Sequence, residues 1–144
     1  MNILFICTGN TCRSPMAEAI LKNKKLDDIK VRSAGIFASN GSNAAENALK
    51  VLQENNIHHQ HTSKMLTQED IIWADYIFTM TEGHKELIVD QHPFIADKTF
   101  TLKEFVYNSK IDTDVSDPYG GNVDVYRETY KELEELIKEM LKKI

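Results

Sequence analysis

The sequence lacks long hydrophobic runs, and none of its apolar stretches approaches the roughly 20 residues of a membrane-spanning helix. The short apolar segment 3–6 near the N-terminus has neither the length nor the basic start of a signal peptide. Basic residues are not in excess, since 17 lysines and arginines accompany 22 acids and the net charge is −5. We therefore expect a cytoplasmic protein with no general affinity for nucleic acid or for a membrane surface.

Cysteine is also scarce, because the chain contains only Cys7 and Cys12. Two cysteines so close in sequence cannot link distant parts of a fold, which excludes a scaffold built on disulfides. Internal repeats, low-complexity tracts and Pro- or Ser-rich linkers are absent as well. With 144 residues, of which 42% are hydrophobic and 27% charged, the chain has the size and composition of one domain, and we assign residues 1–144 to it.

Short apolar runs alternate with amphipathic stretches along the chain. The runs predict four strands, at 3–6, 31–34, 76–80 and 99–102. Strands that alternate with helices are typical of a parallel sheet covered by helices on both faces. Ligands of such sheets bind beyond the carboxyl ends of the strands, so the segment after the first strand becomes the first place to look for a site.

Local signals predict where the helices begin. Ser14 is a good N-cap and Pro15 fits the first helical position, so we expect a helix to begin there. Asn43 and Glu46 have capping-box spacing and predict the start of a second helix. Further helices are expected near 67, at 81–89 and at 123–144. The apolar stripe of the last one could form a coiled-coil seam, but packing on the domain's own sheet is the favoured interpretation.

The segment between the first strand and the first helix has features of a phosphate-binding loop. It consists of Cys7, Thr8, Gly9, Asn10, Thr11, Cys12, Arg13 and Ser14. Inward-facing backbone N–H groups and the N-terminus of the following helix would form a nest for an anion. Gly9 tolerates a positive φ, and Asn10 is one of the few other residues that enter the left-handed region.

The side chains of this loop suggest phosphoryl transfer. Arg13 offers a planar fork that matches two phosphoryl oxygens, and its charge favours the nucleophilic thiolate form of Cys7. Ser14 can donate its hydroxyl to the sulfur and ease its departure from phosphorus. A structural cysteine in a turn is the alternative, which the spacing of Cys7 and Arg13 disfavours. Asp117, in a turn-rich segment, is the candidate general acid, although Asp-Pro alone is only turn chemistry.

The sequence resembles the low-molecular-weight protein-tyrosine phosphatase family over essentially its full length. The residues that carry the resemblance are CTGNTCRSP at 7–15, Ser33-Ala34-Gly35, and DPYGG at 117–121. The resemblance implies a single-domain three-layer sandwich, in which helices flank a four-stranded parallel sheet. It also implies a cysteinyl-phosphate intermediate, no metal and no other cofactor, with Cys7 as nucleophile, Arg13 as phosphate clamp and Asp117 as general acid. We expect a monomer whose partners are phosphorylated protein substrates.

The resemblance further implies residues that support the loop by hydrogen bonds: Asn10, Ser14, Ser33 and His61. We interpret the neighbouring His58 and His59 as surface histidines. Cys12 is similar to the second loop cysteine of the family. On that basis it would form a reversible disulfide with Cys7 under oxidation and protect the nucleophile from irreversible damage.

Thr11 bears on the substrate, because tyrosine-specific members of the family usually carry an aliphatic residue there. The version with Thr, together with Phe37 and the segment 100–105, is similar to the bacterial protein-arginine phosphatases. An aliphatic side chain would leave guanidinium N–H donors unpaired in a closed site, at about 1–3 kcal/mol each. We expect the Thr11 hydroxyl to engage this polar group and Phe37 and Tyr119 to wall the pocket, although Tyr119 suits a tyrosine phosphatase equally well.

Three functions other than that of a protein-arginine phosphatase are alternatives for this sequence. A tyrosine phosphatase of the same fold is the main alternative. An arsenate reductase would relay oxidation to further cysteines, and none follows Cys12. A non-catalytic reader of phosphorylated residues would be expected to lose the nucleophile or the acid, whereas both Cys7 and Asp117 are present.

Overall fold

The computed structural model describes all 144 residues, Met1–Ile144. Its strands are β1 (Asn2–Cys7), β2 (Lys30–Gly35), β3 (Tyr76–Thr79) and β4 (Thr99–Thr101). Its helices are α1 (Arg13–Asn23), α2 (Glu46–Glu54), α3 (Gln68–Trp73), α4 (Glu82–Gln91), α5 (Leu102–Tyr107) and α6 (Val123–Leu141), with a short 3-10 helix at Pro93–Lys98. None of these helices combines the length and the apolar character that crossing a membrane would require.

The four strands form one parallel sheet in the order β2-β1-β3-β4. Residues 3–6 of the central strand β1 alternate between two apolar clusters and are completely buried. Ile3 and Phe5 pack with residues of α1, α2, α5 and α6, whereas Leu4 and Ile6 pack with residues of α3 and α4 on the other face. Coverage of both faces explains the uninterrupted apolar run of this strand. The predicted three-layer fold with a four-stranded parallel sheet is confirmed.

Helix α6 packs its apolar stripe onto the domain itself. Tyr126, Tyr130, Leu133, Ile137 and Met140 are buried in the same cluster as the apolar residues of α1 and α2. These residues recur at spacings of three and four, so they lie on one side of the helix. The favoured interpretation of this stripe is confirmed, and the coiled-coil alternative is wrong for this chain.

Two of the predicted helix starts are wrong. Helix α1 begins one residue before Ser14, its N-cap is Cys12, and no side chain caps it. The Ser14 hydroxyl serves another purpose, because it contacts the sulfur of Cys7. Helix α2 has Ala45 as its N-cap, again without a side-chain hydrogen bond, so the expected capping box that begins at Asn43 does not form.

Helix α5 was missed, because the strand prediction extended to Leu102. The signal for this helix is a capping box with Thr101 as N-cap and Glu104 at the third helical position. The Glu104 amide donates to the Thr101 hydroxyl at 3.0 Å, and the Thr101 amide donates to the Glu104 carboxylate at 2.9 Å. The helix expected near 67 is confirmed by a similar box between Thr67 and Asp70.

The end of β2 holds the segment after β1 in place. The amide of Ile36 donates to the Cys7 carbonyl at 3.1 Å, and the amide of Phe37 donates to the Thr8 carbonyl at 2.9 Å. A methyl group on Gly35 would lie 2.6 Å from the Thr8 carbonyl oxygen and 2.8 Å from the Asn10 amide nitrogen. Only glycine therefore lets the two backbones approach this closely.

We expect Gly35→Ala to lower the free energy of unfolding by roughly 1–3 kcal/mol, because the added methyl group must displace backbone that it cannot rotate away from. Urea unfolding monitored by circular dichroism measures this change. Gly83→Ala in α4 is the matched control, since a methyl group there meets only the Thr81 hydroxyl at 3.6 Å. Equal stability of the Gly35→Ala variant and the wild type would contradict the close approach.

Candidate active site

A cavity of about 210 Å³ lies beyond the carboxyl end of β1. Its walls consist of Cys7, Thr8, Gly9, Thr11, Cys12, Arg13, Asp117 and Tyr119. The three residues predicted to perform the chemistry, Cys7, Arg13 and Asp117, thus face one small space, although Asp117 is more than 100 positions from the other two in sequence. Larger hollows beside α4 and α5 contain none of the three.

Asn10 fixes the conformation of the loop with its side chain. Its φ of 55° is the left-handed conformation that was predicted. The side-chain amide donates to the Ser14 hydroxyl at 2.8 Å and to the Ser33 hydroxyl at 2.9 Å, and its oxygen accepts from the Lys64 amide at 3.0 Å. Gly9 does not use a positive φ, so that expectation is wrong: the sharp turn of the loop falls on Asn10.

The carbonyl oxygen of Asn10 is held from the opposite side. His61 contributes its Nε2 at 2.8 Å and Ser63 its hydroxyl at 2.7 Å. A carbonyl oxygen only accepts, so both groups donate to it. The four residues expected to support the loop, Asn10, Ser14, Ser33 and His61, therefore lie in one connected set of hydrogen bonds.

A buried carboxylate at the far end of this set was not foreseen. Glu18 of α1 accepts from the Ser33 hydroxyl at 2.6 Å and contacts Lys22 Nζ at 2.7 Å. Burial raises the pKa of Glu18, but contacts with His61, Lys22 and Ser33 outweigh burial and lower the pKa to about 2. Nothing in the sequence around Glu18 predicts its burial, which arises where α1 packs on β2.

The hydrogen bonds of the network have only one consistent direction. Ionised Glu18 only accepts, so the Ser33 hydroxyl donates to it and accepts from Asn10. The second N–H of Asn10 donates to Ser14, which leaves the Ser14 proton free. The Ser14 oxygen lies 2.8 Å from Cys7 Sγ, and a thiolate can only accept, so in the ionised state of Cys7 this proton is donated to the sulfur. The network can thus stabilise negative charge on Cys7.

Two sources of positive charge face the cavity, the N-terminus of α1 and the side chain of Arg13. Helix α1 has neither a capping side chain nor an acidic residue in its first turn, so its N-terminal amides remain available to an anion. The buried Arg13 donates from Nη1 to the Val115 carbonyl at 3.1 Å, which holds the guanidinium in the cavity wall. This arrangement suits a dianion such as a phosphoryl group.

Asp117 reaches the cavity from the loop before α6. Its Oδ2 lies 3.6 Å from Arg13 Nη2, and its Oδ1 accepts from the Tyr119 amide at 3.1 Å. The side chain is half exposed, so water and a leaving group can reach it. Gly120, at a φ of 80°, turns the chain directly after Tyr119.

Thr8 is held by a residue that the sequence did not suggest. Its hydroxyl lies 2.8 Å from Nε2 of His84, a buried residue of α4. Burial and the nearby Arg13 lower the pKa of His84 to about 4, against the opposing effect of Asp114 and Asp117. A neutral ring therefore anchors Thr8 at physiological pH. Its position after the adjacent strand β3 is the signal that could have indicated it.

The residues expected to select the substrate are placed unequally. Thr11 and Tyr119 both line the cavity. The Thr11 hydroxyl approaches only Cys12 Sγ, at 3.6 Å, so it is available to a bound group. Phe37 is 68% exposed and does not line the cavity, although its backbone is bonded to the loop. The expectation that Phe37 forms a pocket wall is therefore not met in this structure.

Cys12 and the paired histidines complete the surroundings of the loop. Both cysteines are free, and Cys12 Sγ lies 3.3 Å from the hydroxyl of Tyr126, whose pKa is raised by burial and by this contact. His58 is exposed as expected. His59 is not a surface histidine, because its side chain is only 7% exposed.

Comparison with known proteins places this geometry in a family. The model of the family described as low molecular weight phosphotyrosine protein phosphatase matches residues 2–144 of this chain. The chain belongs to this family. A protein-arginine-phosphatase from Geobacillus stearothermophilus is 51% identical over 142 residues, which cover 99% of this chain and 95% of the relative.

Solved structures agree with this family assignment. The arginine phosphatase YwlE from Geobacillus stearothermophilus matches with a TM-score of 0.95 at 51% identity, covering 99% of this chain and 91% of that one. A second solved YwlE arginine phosphatase is a cysteine-to-serine mutant with a phosphorylated active-site serine. It matches with a TM-score of 0.92 at 46% identity and covers 99% of this chain and 95% of its own. The family resemblance inferred from the motifs is confirmed.

The lowered pKa of Glu18 in this phosphatase predicts a pH-dependent contribution to stability. The ionised form stabilises the fold above the unfolded-state pKa of 4.5, and this stabilisation is lost as the pH falls toward 2. The full difference corresponds to roughly 3 kcal/mol. We expect Glu18→Gln to be less stable than the wild type at pH 7.

Urea unfolding of the wild type and of Glu18→Gln in steps from pH 7 to pH 3 tests this expectation. The difference in unfolding free energy should narrow below about pH 4.5, where the wild-type carboxylate begins to lose its advantage. The other carboxylates are common to both proteins and cancel from the difference. A gap that stays constant over the whole range would contradict the assigned charge state.

Proposed function

We propose that this protein hydrolyses phosphoarginine in proteins through a phosphorylated Cys7. The observation that carries the proposal is the free hydroxyl of Thr11 in the cavity wall beside the nucleophile. The names of the relatives support it, since two of them are arginine phosphatases at 46–51% identity. Phosphorylated proteins are thus the proposed partners. The two free cysteines fit a reducing compartment such as the cytoplasm.

In the proposed first step the phosphoryl group lies against the loop amides and the Arg13 fork. The sulfur of Cys7 attacks phosphorus, and the S–P bond forms as the P–N bond breaks. The electrons of the broken bond pass to the guanidinium nitrogen, and Asp117 delivers a proton to it. The arginine side chain of the substrate protein leaves without its phosphoryl group, which stays on Cys7.

In the proposed second step the roles of Asp117 and Cys7 are reversed. The Asp117 carboxylate, half exposed beside the cavity, takes a proton from a water molecule. The water oxygen attacks phosphorus and the S–P bond breaks, which returns the electron pair to sulfur. The Ser14 hydroxyl, 2.8 Å from the sulfur, stabilises the departing thiolate. The mutant relative with a phosphorylated active-site serine supports a covalent intermediate of this kind.

The preference for arginine over tyrosine follows from the polarity of the cavity. A phosphorylated guanidinium carries N–H donors next to the phosphorus, and these must find acceptors once water is displaced. The Thr11 hydroxyl and the Asp117 carboxylate are the acceptors available there. The exposed ring of Tyr119 at the cavity can stack on the planar group.

A tyrosine phosphatase remains the second candidate, favoured by the same Tyr119. An aromatic ring at the cavity stacks as well on a phenyl group as on a guanidinium. The family as a whole is also described as phosphotyrosine phosphatases. The two candidates differ in one respect that can be measured, which is the need for a hydrogen-bonding side chain at position 11.

We expect Thr11→Ile to lower the ratio of kcat/KM for phosphoarginine to that for phosphotyrosine by roughly tenfold to a hundredfold. The reason is that the guanidinium donors would lose an acceptor worth about 1–3 kcal/mol. Steady-state assays on two peptides that differ only in the phosphorylated residue measure the ratio. The wild type should prefer the phosphoarginine peptide.

Thr11→Ser serves as the control, because it keeps the hydroxyl and should retain the wild-type preference. An unchanged ratio in Thr11→Ile would refute the role of Thr11, and a wild-type preference for phosphotyrosine would favour the second candidate. If neither peptide is turned over, or if Cys7→Ser remains active, the enzyme proposal itself fails.

A further inference from the structure

Three side chains that can bind a metal ion meet behind the phosphate-binding loop, on the side away from the cavity. Glu18 belongs to α1, whereas His59 and His61 belong to the segment between α2 and α3. One ligand atom from each lies within 4.8 Å of the other two. Glu18 Oε1 is 3.8 Å from His59 Nε2 and 3.7 Å from His61 Nδ1. All three side chains are at most 10% exposed.

The ring nitrogen of His59 that faces Glu18 has no hydrogen-bond partner. This atom, Nε2, is buried. A polar atom in this state is unfavourable and calls for an explanation, such as an unseen ion. Burial lowers the pKa of His59, so the ring is neutral at physiological pH and can offer a lone pair.

His61 already has the arrangement of a metal-binding histidine. Its Nε2 donates to the Asn10 carbonyl at 2.8 Å, so Nδ1 is the nitrogen left to bind an ion, which would displace any proton that Nδ1 shares with Glu18. This nitrogen lies on the side of Glu18. Histidines that bind metals almost always donate their other ring N–H to a carboxylate or a backbone carbonyl, which fixes the ring.

The distances suit an ion with short bonds to nitrogen and oxygen. Tetrahedral zinc, with bonds of 2.0–2.2 Å to imidazole and carboxylate, separates its ligand atoms by about 3.4 Å. The two separations from Glu18, 3.7 and 3.8 Å, are only a few tenths of an ångström longer, and the two histidine nitrogens lie within 4.8 Å of each other, so side-chain rotations complete the site. Two imidazoles and one carboxylate are ligands that zinc accepts readily.

We propose that Glu18, His59 and His61 bind one Zn²⁺ ion, with water in the fourth position. The ion would not touch the phosphoryl group, although Glu18 and His61 also support the phosphate-binding loop. A hollow of about 530 Å³ beside α2, lined in part by His58 and His59, gives an ion access to it.

The nearest competing charge is the ammonium group of Lys22, 2.7 Å from the other oxygen of Glu18. This side chain is half exposed and can turn into solvent when an ion binds. Glu18 Oε1 has lone-pair capacity for both the Ser33 hydroxyl and an ion, so the support of the loop persists. The ion would fix His61 in the form that donates to Asn10, and it therefore stabilises the loop.

Isothermal titration of Zn²⁺ into a Cys7→Ser, Cys12→Ser variant tests the site without interference from thiolates, which also bind zinc. We expect one ion per chain and a rise in melting temperature. Adding His59→Ala should raise the dissociation constant at least about tenfold and abolish most of that rise. His58→Ala is the matched control, because this exposed neighbour is not a proposed ligand and binding should be unchanged.

Nuclear magnetic resonance of the histidine rings covers the case in which His59→Ala perturbs the fold. During the zinc titration of the double cysteine variant, the ring nitrogens of His59 and His61 should shift together and saturate at one equivalent. Shifts confined to His58, His84 or His92, or no saturable binding at all, would overturn the proposal. Equal zinc affinity of a folded His59→Ala variant would overturn it as well.

Discussion

A directed set of hydrogen bonds from a buried carboxylate to a sulfur underlies the rest of this structure. Glu18 accepts from Ser33, which turns the amide of Asn10 so that its second N–H occupies the Ser14 oxygen. The Ser14 proton is then free to be donated to Cys7 Sγ when the sulfur is ionised. The same amide holds Asn10 in the left-handed conformation that shapes the loop. The hydrogen bonds of the Asn10 side chain therefore both shape the loop and favour the ionised form of Cys7.

The fold places groups from other elements around this loop. Parallel pairing of β1 and β2 places Gly35 against the loop backbone, where a larger residue would not fit. The uncapped N-terminus of α1 and the buried Arg13 provide positive charge in a protein that is acidic as a whole. Asp117 arrives from more than 100 positions away and meets Arg13 across the cavity. Gly35 and Asp117 are distant from the loop in sequence, so the sheet is needed to bring them to it.

The sequence alone allowed prediction of those features of the fold and the site that short continuous segments determine. The alternation of apolar runs with amphipathic stretches predicted the fold, and the loop motif predicted the cavity residues after β1, whereas Asp117 came from the resemblance to the family. Of the two uses predicted for Ser14, the helix cap is wrong, because its hydroxyl makes the other predicted contact, with Cys7 Sγ. Glu18 and His59 were missed as buried residues, because nothing near them in sequence indicates that α1 and the segment after α2 enclose them. Phe37 failed for the opposite reason, since its ring stays in solvent.

The lifetime of phosphorylated Cys7 tests the directed hydrogen bonds most directly. Removing the Ser14 proton should slow departure of the sulfur by roughly tenfold to a hundredfold, the value of a hydrogen bond to a charged group. Rapid mixing of Ser14→Ala with an excess of para-nitrophenyl phosphate should then give a burst of nitrophenol, and acid quenching should leave phosphate on Cys7. Wild-type protein should show a much smaller burst. A Ser14→Ala variant with wild-type burst amplitude and no trapped phosphate would contradict this account.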